Sequence, residues 1–341
     1  MRILTDLEFF RPNPDLPLIL ALGNFDGMHL GHQALLTRVI DKARKRKGIS
    51  AVFTFLEHPQ RILHPESRPS LLSSPVHKLF LLDQLGVALC FLVPFTREFS
   101  RMAPSIFVEE ILVKRLGVSQ VCLGYNARFG HERKGDAVLM QALASKHGFL
   151  FEEMPPVRAA RDFVSSSRIR KLIEGGNLEE AGEALGRPFS IFATVVKGAG
   201  RGTGLGTPTA NLEPESEILP PEGVYPVTLR MIHCEPIAEV SQGDKEFKMN
   251  PPGPWLEGVL NYGRRPTFEK EKARPVPEVF IFDFRGELYG KTLEIVFHPP
   301  LRREIAFSSS QALQAQIAQD IQTARAYFAS RAKKTFTRTS D

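Results

Sequence analysis

Cysteine is scarce in this chain: three in 341 residues, Cys90, Cys122 and Cys234, with no CxxC pair among them. That spacing excludes a disulfide framework and a thiolate zinc site. Cys90 and Cys122 sit in apolar runs, VALCFLV and VCLGY, and read as buried strand residues. No apolar run approaches the roughly 18 residues that a membrane-crossing helix needs. The N-terminus lacks the basic-then-apolar layout of a secretory leader, so a cytoplasmic location is expected. There is no Walker A loop, which requires GK followed by Ser or Thr, and no GxGxxG dinucleotide fingerprint. The net charge of +6 is modest. Its densest basic run, KARKRKG at 42–48, closes an amphipathic helix where cations complement the helix dipole. No aromatic platform accompanies that run, so it reads as a solvated face and no nucleic-acid or membrane partner is expected.

What the chain does have is alternation. LPLILAL, ISAVFTF (49–55), VALCFLV (87–93), VSQVCLG (118–124) and FLFEEM (149–154) read as strands. Helical patterns fall between them, such as APSIFVEEILVKRLG and GDAVLMQALASKHG. This order predicts an α/β fold with a parallel sheet and ligands at the carboxyl ends of its strands. A helix from about Ser167 to Leu185, interrupted near Gly175 and Gly176, leads to a boundary near residue 186. Beyond it, SIFATVV, VYPVTLRMI, WLEGVLNY, EVFIFDF and KTLEIVF are short strands between Gly/Pro-rich turns, as in an antiparallel barrel or sandwich, followed by a C-terminal helix. The expected domains are 1–186 and 187–330, with 331–341 a disordered tail. The polar, proline-rich stretch 233–254 reads as an extended loop.

GNFDGMHLGHQALL (23–36) follows the first long apolar strand and opens a helix carrying Leu35, Leu36, Val39, Ile40 and Ala43 at helical spacing. Unpaired N–H groups at a helix start suit a phosphate. His29 and His32 can donate to the α-phosphate and bridging oxygen of a nucleoside triphosphate, where charge builds as pyrophosphate is displaced. A bare HxxH pair would also serve as a structural turn or half a metal site. Gly23, Phe25, Asp26 and Gly31 complete the turn, with Asp26 left two roles: fixing the turn or approaching a metal. Ser165, Ser166 and Ser167 ahead of Arg168 form a second anion cradle for β- and γ-phosphates, although plain capping needs only one serine.

VVKGAGRGTGLGTPTANLEP (195–214) is a strand followed by a glycine-rich turn that includes Gly198 and Gly206. A flexible loop alone would explain the glycines. Thr209 and Asn211, two apart on an extended chain, face the same way as neutral oxygen donors suited to Mg²⁺ with substrate phosphates. Glu278 opens a later strand; such a carboxylate could accept a hydroxyl proton during phosphoryl transfer or simply face solvent.

In combination these stretches resemble the bacterial bifunctional riboflavin kinase/FAD synthetase family over nearly the whole chain. GNFDGMHLGH is similar to its nucleotidyltransferase signature, FTFLEHP to its TFxPHP block, and LGYNARFGHERKGD to its GxDFRFGxxxxGD block. VSSSRIRKL with LGRPFSI resembles its SSTRIR segment and linker. LGTPTAN, EGVYPV, NYGRRPTF, EVFIFDF and LRREIAF resemble its kinase module. The resemblance implies a nucleotidyltransferase-like parallel sheet plus a riboflavin kinase-like barrel. It also implies ATP as co-substrate, Mg²⁺ at Thr209 and Asn211, riboflavin, FMN and FAD as ligands, and Glu278 as the base for the ribityl hydroxyl. Asn126, Arg128, Phe129 and Arg265 are its implied flavin contacts, and a monomer or weak homo-oligomer is the expected state. The chain departs from the pattern at Glu57 (proline), Asn126-Ala127 (Asp-Phe), Ser167 (threonine), Thr203 (arginine) and Thr207 (a large apolar residue). On sequence alone, loss of one activity and a non-catalytic flavin- or nucleotide-binding regulator stay open as alternatives.

Overall fold

A computed structural model of the chain describes residues 1–67, 69–159, 162–197, 209–233, 244–246, 252–263 and 275–337. The chain divides into two compact units. One holds Met1–Arg168, Ala184–Gly186 and Cys234–Met249; the other holds Ile169–Glu183, Arg187–His233 and Asn250–Asp341.

The first unit is built on six parallel strands: β1 (Arg2–Leu4), β2 (Leu18–Leu22), β3 (Ile49–Phe55), β4 (Leu89–Val93), β5 (Val118–Leu123) and β6 (Leu150–Glu153). Their spatial order is β1-β4-β3-β2-β5-β6. Every residue of β2 and of β4 is buried, as parallel strands covered on both faces require. The chain winds from β2 outward through β3 and β4, then crosses to the other side of β2 at β5. That reversal puts the segments after β2 and β5 side by side at the carboxyl edge.

The crossovers carry α1 (Leu30–Lys45), α2 (Pro59–Leu63), α3 (Pro75–Gln84), α4 (Arg97–Ser100), α5 (Pro104–Ile106) and α6 (Ala137–His147). Past α5 the chain continues through Phe107–Arg115 as a wider coil with bonds such as Leu116 N–H to the Ile111 carbonyl. Of the expected apolar stripe of α1, Leu35, Leu36, Val39 and Ala43 are buried. The basic run that closes α1 lies near β6, where Lys42 and Arg38 pair with Glu152 at 2.7 and 3.0 Å. A short hairpin, β7 (Arg158–Ala159) and β8 (Asp162–Phe163), precedes α7 (Ser166–Glu174). α7 stops at Gly176, whose φ of +79° a side chain would strain, before α8 (Leu178–Leu185).

The second unit is a closed antiparallel barrel of β9 (Ser190–Val196), β10 (Ala210–Pro214), β11 (Gly223–Ile232) and three later strands. β12 (Asp244–Glu246) intervenes, followed by β13 (Leu256–Gly263), β14 (Val276–Ile281) and β15 (Thr292–Phe297). The barrel order β13-β14-β10-β9-β15-β11 closes through β11–β13 pairing, with β16 (Arg302–Arg303) beside β11. A final helix, α9 (Ser310–Thr337), packs Ala324 and Phe328 on Val224, Val259 and Phe282. It runs past residue 331, where the sequence reading begins a tail.

β12 differs from the sequence expectation of an extended loop over 233–254. It lies in the first unit, antiparallel to β1, with Leu4 opposite Asp244 and Arg2 opposite Glu246. The Arg2 guanidinium reaches the Asp244 carboxylate at 2.7 Å. Asp-Lys-Glu has no strand pattern of its own; the open edge of β1 supplies the pairing.

The barrel also carries a pH-sensitive contact. The His298 ring is buried, 5.4 Å from the rings of both Tyr327 and Phe328, with Nε2 3.3 Å from the Thr228 hydroxyl. Burial, aided by the Arg331 charge, pushes its pKa down from 6.5 to about 4. The unfolded chain then binds a proton that the folded chain refuses between those values, so stability is fully present above pH 6.5 and falls as pH drops toward 4. The expected loss by pH 4 is about 3 kcal/mol. Calorimetry of the barrel transition should show it, and His298→Gln should flatten the slope in that window.

Candidate active sites

In the first unit the turn after β2 is a strained one. Phe25, Gly27 and Met28 all have positive φ, at +52°, +76° and +44°, while the Phe25 and Met28 side chains are buried. The burial of those two side chains offsets the backbone strain. A Cβ on Gly27 would lie 2.7 Å from Leu72 Cδ1. Gly27→Ala is therefore expected to destabilise this unit by about 2 kcal/mol, measurable by thermal unfolding.

The Asp26 carboxylate is buried and accepts the N–H groups of Leu72 and Ser73 at 3.0 and 3.1 Å. Of the two roles left open by sequence, this geometry is the turn-fixing one. The Ser166 hydroxyl donates to the Asp26 carbonyl at 3.0 Å, which ties the start of α7 to the turn. Ser165 is the cap, its Oγ accepting the Arg168 N–H at 3.3 Å, while Ser167 is exposed. Arg168 pairs with Asp162 at 3.1 Å.

His29 caps α1: its Nδ1 accepts the His32 N–H at 3.3 Å. An accepting Nδ1 leaves the proton of a neutral ring on Nε2, which is then a donor. The His32 ring stacks on His29 with centroids 3.6 Å apart and planes 14° from parallel. His32 Nδ1 is buried with no hydrogen-bond partner among the described residues. Burial, then the charges of His29 and Lys78, push the His32 pKa well below 6.5, so the ring is neutral at neutral pH. Gly31 lets the His29 ring fold back over the helix start; a Cβ there would sit 3.2 Å from Cε1 and Nδ1.

After β5, Asn126 adopts φ +56°, which asparagine tolerates better than most residues. Arg128 pairs with Asp136 at 2.9 Å, and Phe129 packs against Phe107 with ring centroids 6.1 Å apart. The neighbouring Tyr125 ring is exposed, 6.5 Å from Phe163. Sequence reasoning missed Lys78 and Ser73. Both line a cleft with Asn24, Asp26, Glu57 and His58. The available signal was a lysine inside the apolar helix PVHKLFLLDQ.

In the barrel unit, register assembles the second cluster. Glu278 on β14 lies opposite Asn211 on β10 and opposite Asn261 on β13, so all three share one row. Thr209, two residues before Asn211, donates its hydroxyl to Glu278 Oε2 at 3.4 Å. Asn211 is buried. Glu304, to which sequence reasoning gave no role, joins through a hydrogen bond with Asn261, and burial pushes its carboxyl pKa up. A Cβ on Gly263 would meet the Glu304 carboxylate at 2.6–2.8 Å. A hydroxyl, a carboxamide and a carboxylate are the hard oxygen donors that Mg²⁺ takes alongside phosphates. Gly198, Thr203, Gly206, Thr207 and Arg265 lie outside the described residues.

The FAD synthetase family profile matches residues 12–168, and the riboflavin kinase profile matches residues 185–328. A bifunctional riboflavin kinase/FMN adenylyltransferase of Haemophilus influenzae is 32% identical over 91% of this chain and 94% of its own length. The protein of the same name from Listeria monocytogenes is 34% identical over 92% of this chain and 94% of its own. A crystal structure of a macrolide-efflux protein from Streptococcus pneumoniae superposes with a TM-score of 0.76 at 27% identity, covering 95% of this chain and 98% of that one. Among the described residues no helix is long and apolar enough to cross a membrane. With both profiles matched in order and relatives similar along nearly their whole length, this chain belongs to the bifunctional riboflavin kinase/FMN adenylyltransferase family.

Proposed function

We propose that this chain makes FAD from riboflavin in two ATP-dependent steps, each carried by one of the two residue clusters. The barrel phosphorylates riboflavin to FMN, and the α/β unit transfers AMP from a second ATP to FMN, releasing pyrophosphate. We place the boundary between the two modules near residue 186. The observation that carries the reading is convergence. Glu278 faces Asn211 and Thr209 in the barrel. His29 and His32 stack at a helix start to which Ser166 ties a second helix start.

In the barrel, Glu278 accepts the proton of the ribityl 5′-hydroxyl as that oxygen attacks the γ-phosphorus of ATP, and ADP leaves. Thr209 and Asn211 would hold Mg²⁺, which supplies charge neutralisation on the phosphates when bound. Phosphoryl transfer asks little more of a protein than positioning and electrostatics. In the α/β unit, a phosphate oxygen of FMN attacks the α-phosphorus. His29 Nε2–H and an N–H of neutral His32 donate to the oxygens on which charge grows, and donors held beforehand need no reorganisation. Backbone N–H groups in the first turns of α1 and α7 receive the remaining phosphates. Asn126, Arg128 and Phe129 border the FMN end of this site.

Incubation with riboflavin, Mg²⁺ and ATP, followed by separation of the flavins, tests this directly. FMN followed by FAD is the expected course. FMN without FAD would mean that the departures at Asn126 and Ala127 have silenced the first unit. No FMN would overturn the barrel assignment.

A further inference from the structure

We propose, resting on the riboflavin-phosphorylation reading above, that Asn261 is a specificity residue of the barrel site and Glu304 its positioning residue. The Glu304 carboxylate takes an amide N–H of Asn261, which leaves Asn261 Oδ1 beside Glu278 to accept a second hydroxyl of the ribityl chain. Strand register brings the groups together. Asn261 on β13 lies directly opposite Glu278 on β14, which lies opposite Asn211 on β10. Residues paired across an antiparallel ladder share a face, with Cβ atoms about 4.5–5.5 Å apart. Gly263, two residues further along β13, opens on that same face. Glu304 reaches it from β16, because Val224 on β11 is paired with both Arg302 and Asn261. The Glu304 carboxylate fills the place of the side chain that Gly263 lacks. A Cβ there would lie 2.6 Å from Glu304 Cδ and 2.8 Å from each carboxylate oxygen. From that notch Glu304 is hydrogen-bonded to Asn261.

The direction of that bond follows from the chemistry of the two groups. An ionised carboxylate only accepts, so the Asn261 amide donates. Burial raises the Glu304 pKa, as do Glu222 and Asp320, whereas the Arg302 charge and the Asn261 bond favour the ionised form. A free asparagine offers a ligand either its nitrogen or its oxygen. Here the nitrogen is committed along the strand, and Oδ1 is held as an acceptor. Glu278 already receives the Thr209 hydroxyl on Oε2. A carboxylate and a carboxamide oxygen on neighbouring strands, facing the same way, suit two hydroxyls on adjacent carbons. Glu278 takes the reacting 5′-hydroxyl and Asn261 takes the 4′-hydroxyl. A substrate without the second hydroxyl covers Asn261 Oδ1 and leaves it unpaired, and that penalty is what discriminates.

The test compares riboflavin with 4′-deoxyriboflavin as substrates of the full-length protein. The quantity read is the ratio of their kcat/KM values, from which any loss of folded protein cancels. The wild-type chain is expected to favour riboflavin by about fivefold or more, the worth of one hydrogen bond to a hydroxyl. Asn261 is exposed, so Asn261→Ala spares the barrel core; it should bring the ratio close to one. Glu304→Ala should lower the ratio by about threefold. Gly263→Ala, which evicts the carboxylate while Glu304 and its charge stay in the chain, should match it. Glu304→Gln should keep the wild-type ratio, because its amide oxygen still accepts from Asn261. Adding Glu304→Ala to Asn261→Ala should change the ratio no further. A wild-type ratio of one, or a wild-type ratio retained by Asn261→Ala, would overturn the role of Asn261. A wild-type ratio retained by both Glu304→Ala and Gly263→Ala would overturn that of Glu304. A wild-type chain that phosphorylates neither flavin would sink the phosphorylation reading instead. The ratio of the two flavins' dissociation constants, from fluorescence titration, then decides this proposal by the same outcomes.

Discussion

His32→Ala is expected to reduce FMN-to-FAD conversion by about 10²–10³-fold, the range for deleting one preorganised donor at a developing charge. Riboflavin phosphorylation should continue at its wild-type rate. His32 stands in the first turn of α1, its ring held against His29 and its Nδ1 buried with no partner among the described residues. A donor aimed at oxygens on which charge grows interacts more strongly with the transition state than with bound ATP, so its loss should appear in kcat more than in ATP affinity. The substitution leaves the His29 cap in place, because the bond runs from the backbone N–H of residue 32. Separation of flavins after incubation with either riboflavin or FMN reads both activities. Equal damage to both in a well-folded variant would sink the assignment of chemistry to separate units.

Glu278→Gln should do the reverse, cutting FMN formation by about 10²–10⁴-fold, as removal of a general base does, and leaving FMN-to-FAD conversion intact. Glutamine keeps the size of the side chain and an oxygen to receive the Thr209 hydroxyl, so the row Asn211–Glu278–Asn261 persists. What disappears is the capacity to take the ribityl proton. The deficit should lie in kcat. A variant phosphorylating riboflavin at the wild-type rate would leave Glu278 a structural strand residue.

How much of this was legible beforehand differs between the two sites. The first is local in sequence: Gly23 to His32 fold on themselves, so the turn, the cap and the paired imidazoles are all within ten residues. The partners of Asp26 were not legible. They lie on Leu72 and Ser73, and nothing in a linear string says which N–H groups a buried carboxylate will find. Lys78 was passed over for the same reason: a lysine within an apolar helix acquires meaning only when the end of β3 appears beneath it. In the barrel, Thr209 and Asn211 stood out by spacing, whereas Glu278 and Asn261 owed their prominence to family likeness; that Asn261 faces Glu278 appeared only with strand register, and Glu304 only through its hydrogen bond with Asn261. β12 is the plainest case, three charged or polar residues made a strand by an edge elsewhere in the chain.

Alternating apolar runs and helical periods settled the α/β-then-barrel order of this protein, because burial demands act through near neighbours and leave a periodic trace in the string. The left-handed residue Gly176 was foreshadowed by the glycine pair that interrupts the helical pattern, whereas the left-handed Phe25 and Met28 carry no such mark in the string. Which distant groups meet was decided by the winding reversal beside β2 and by the closure of β11 on β13. Those are properties of the whole chain's packing, since a hydrogen bond or a shifted pKa depends on distance in space and carries no periodic mark along the backbone.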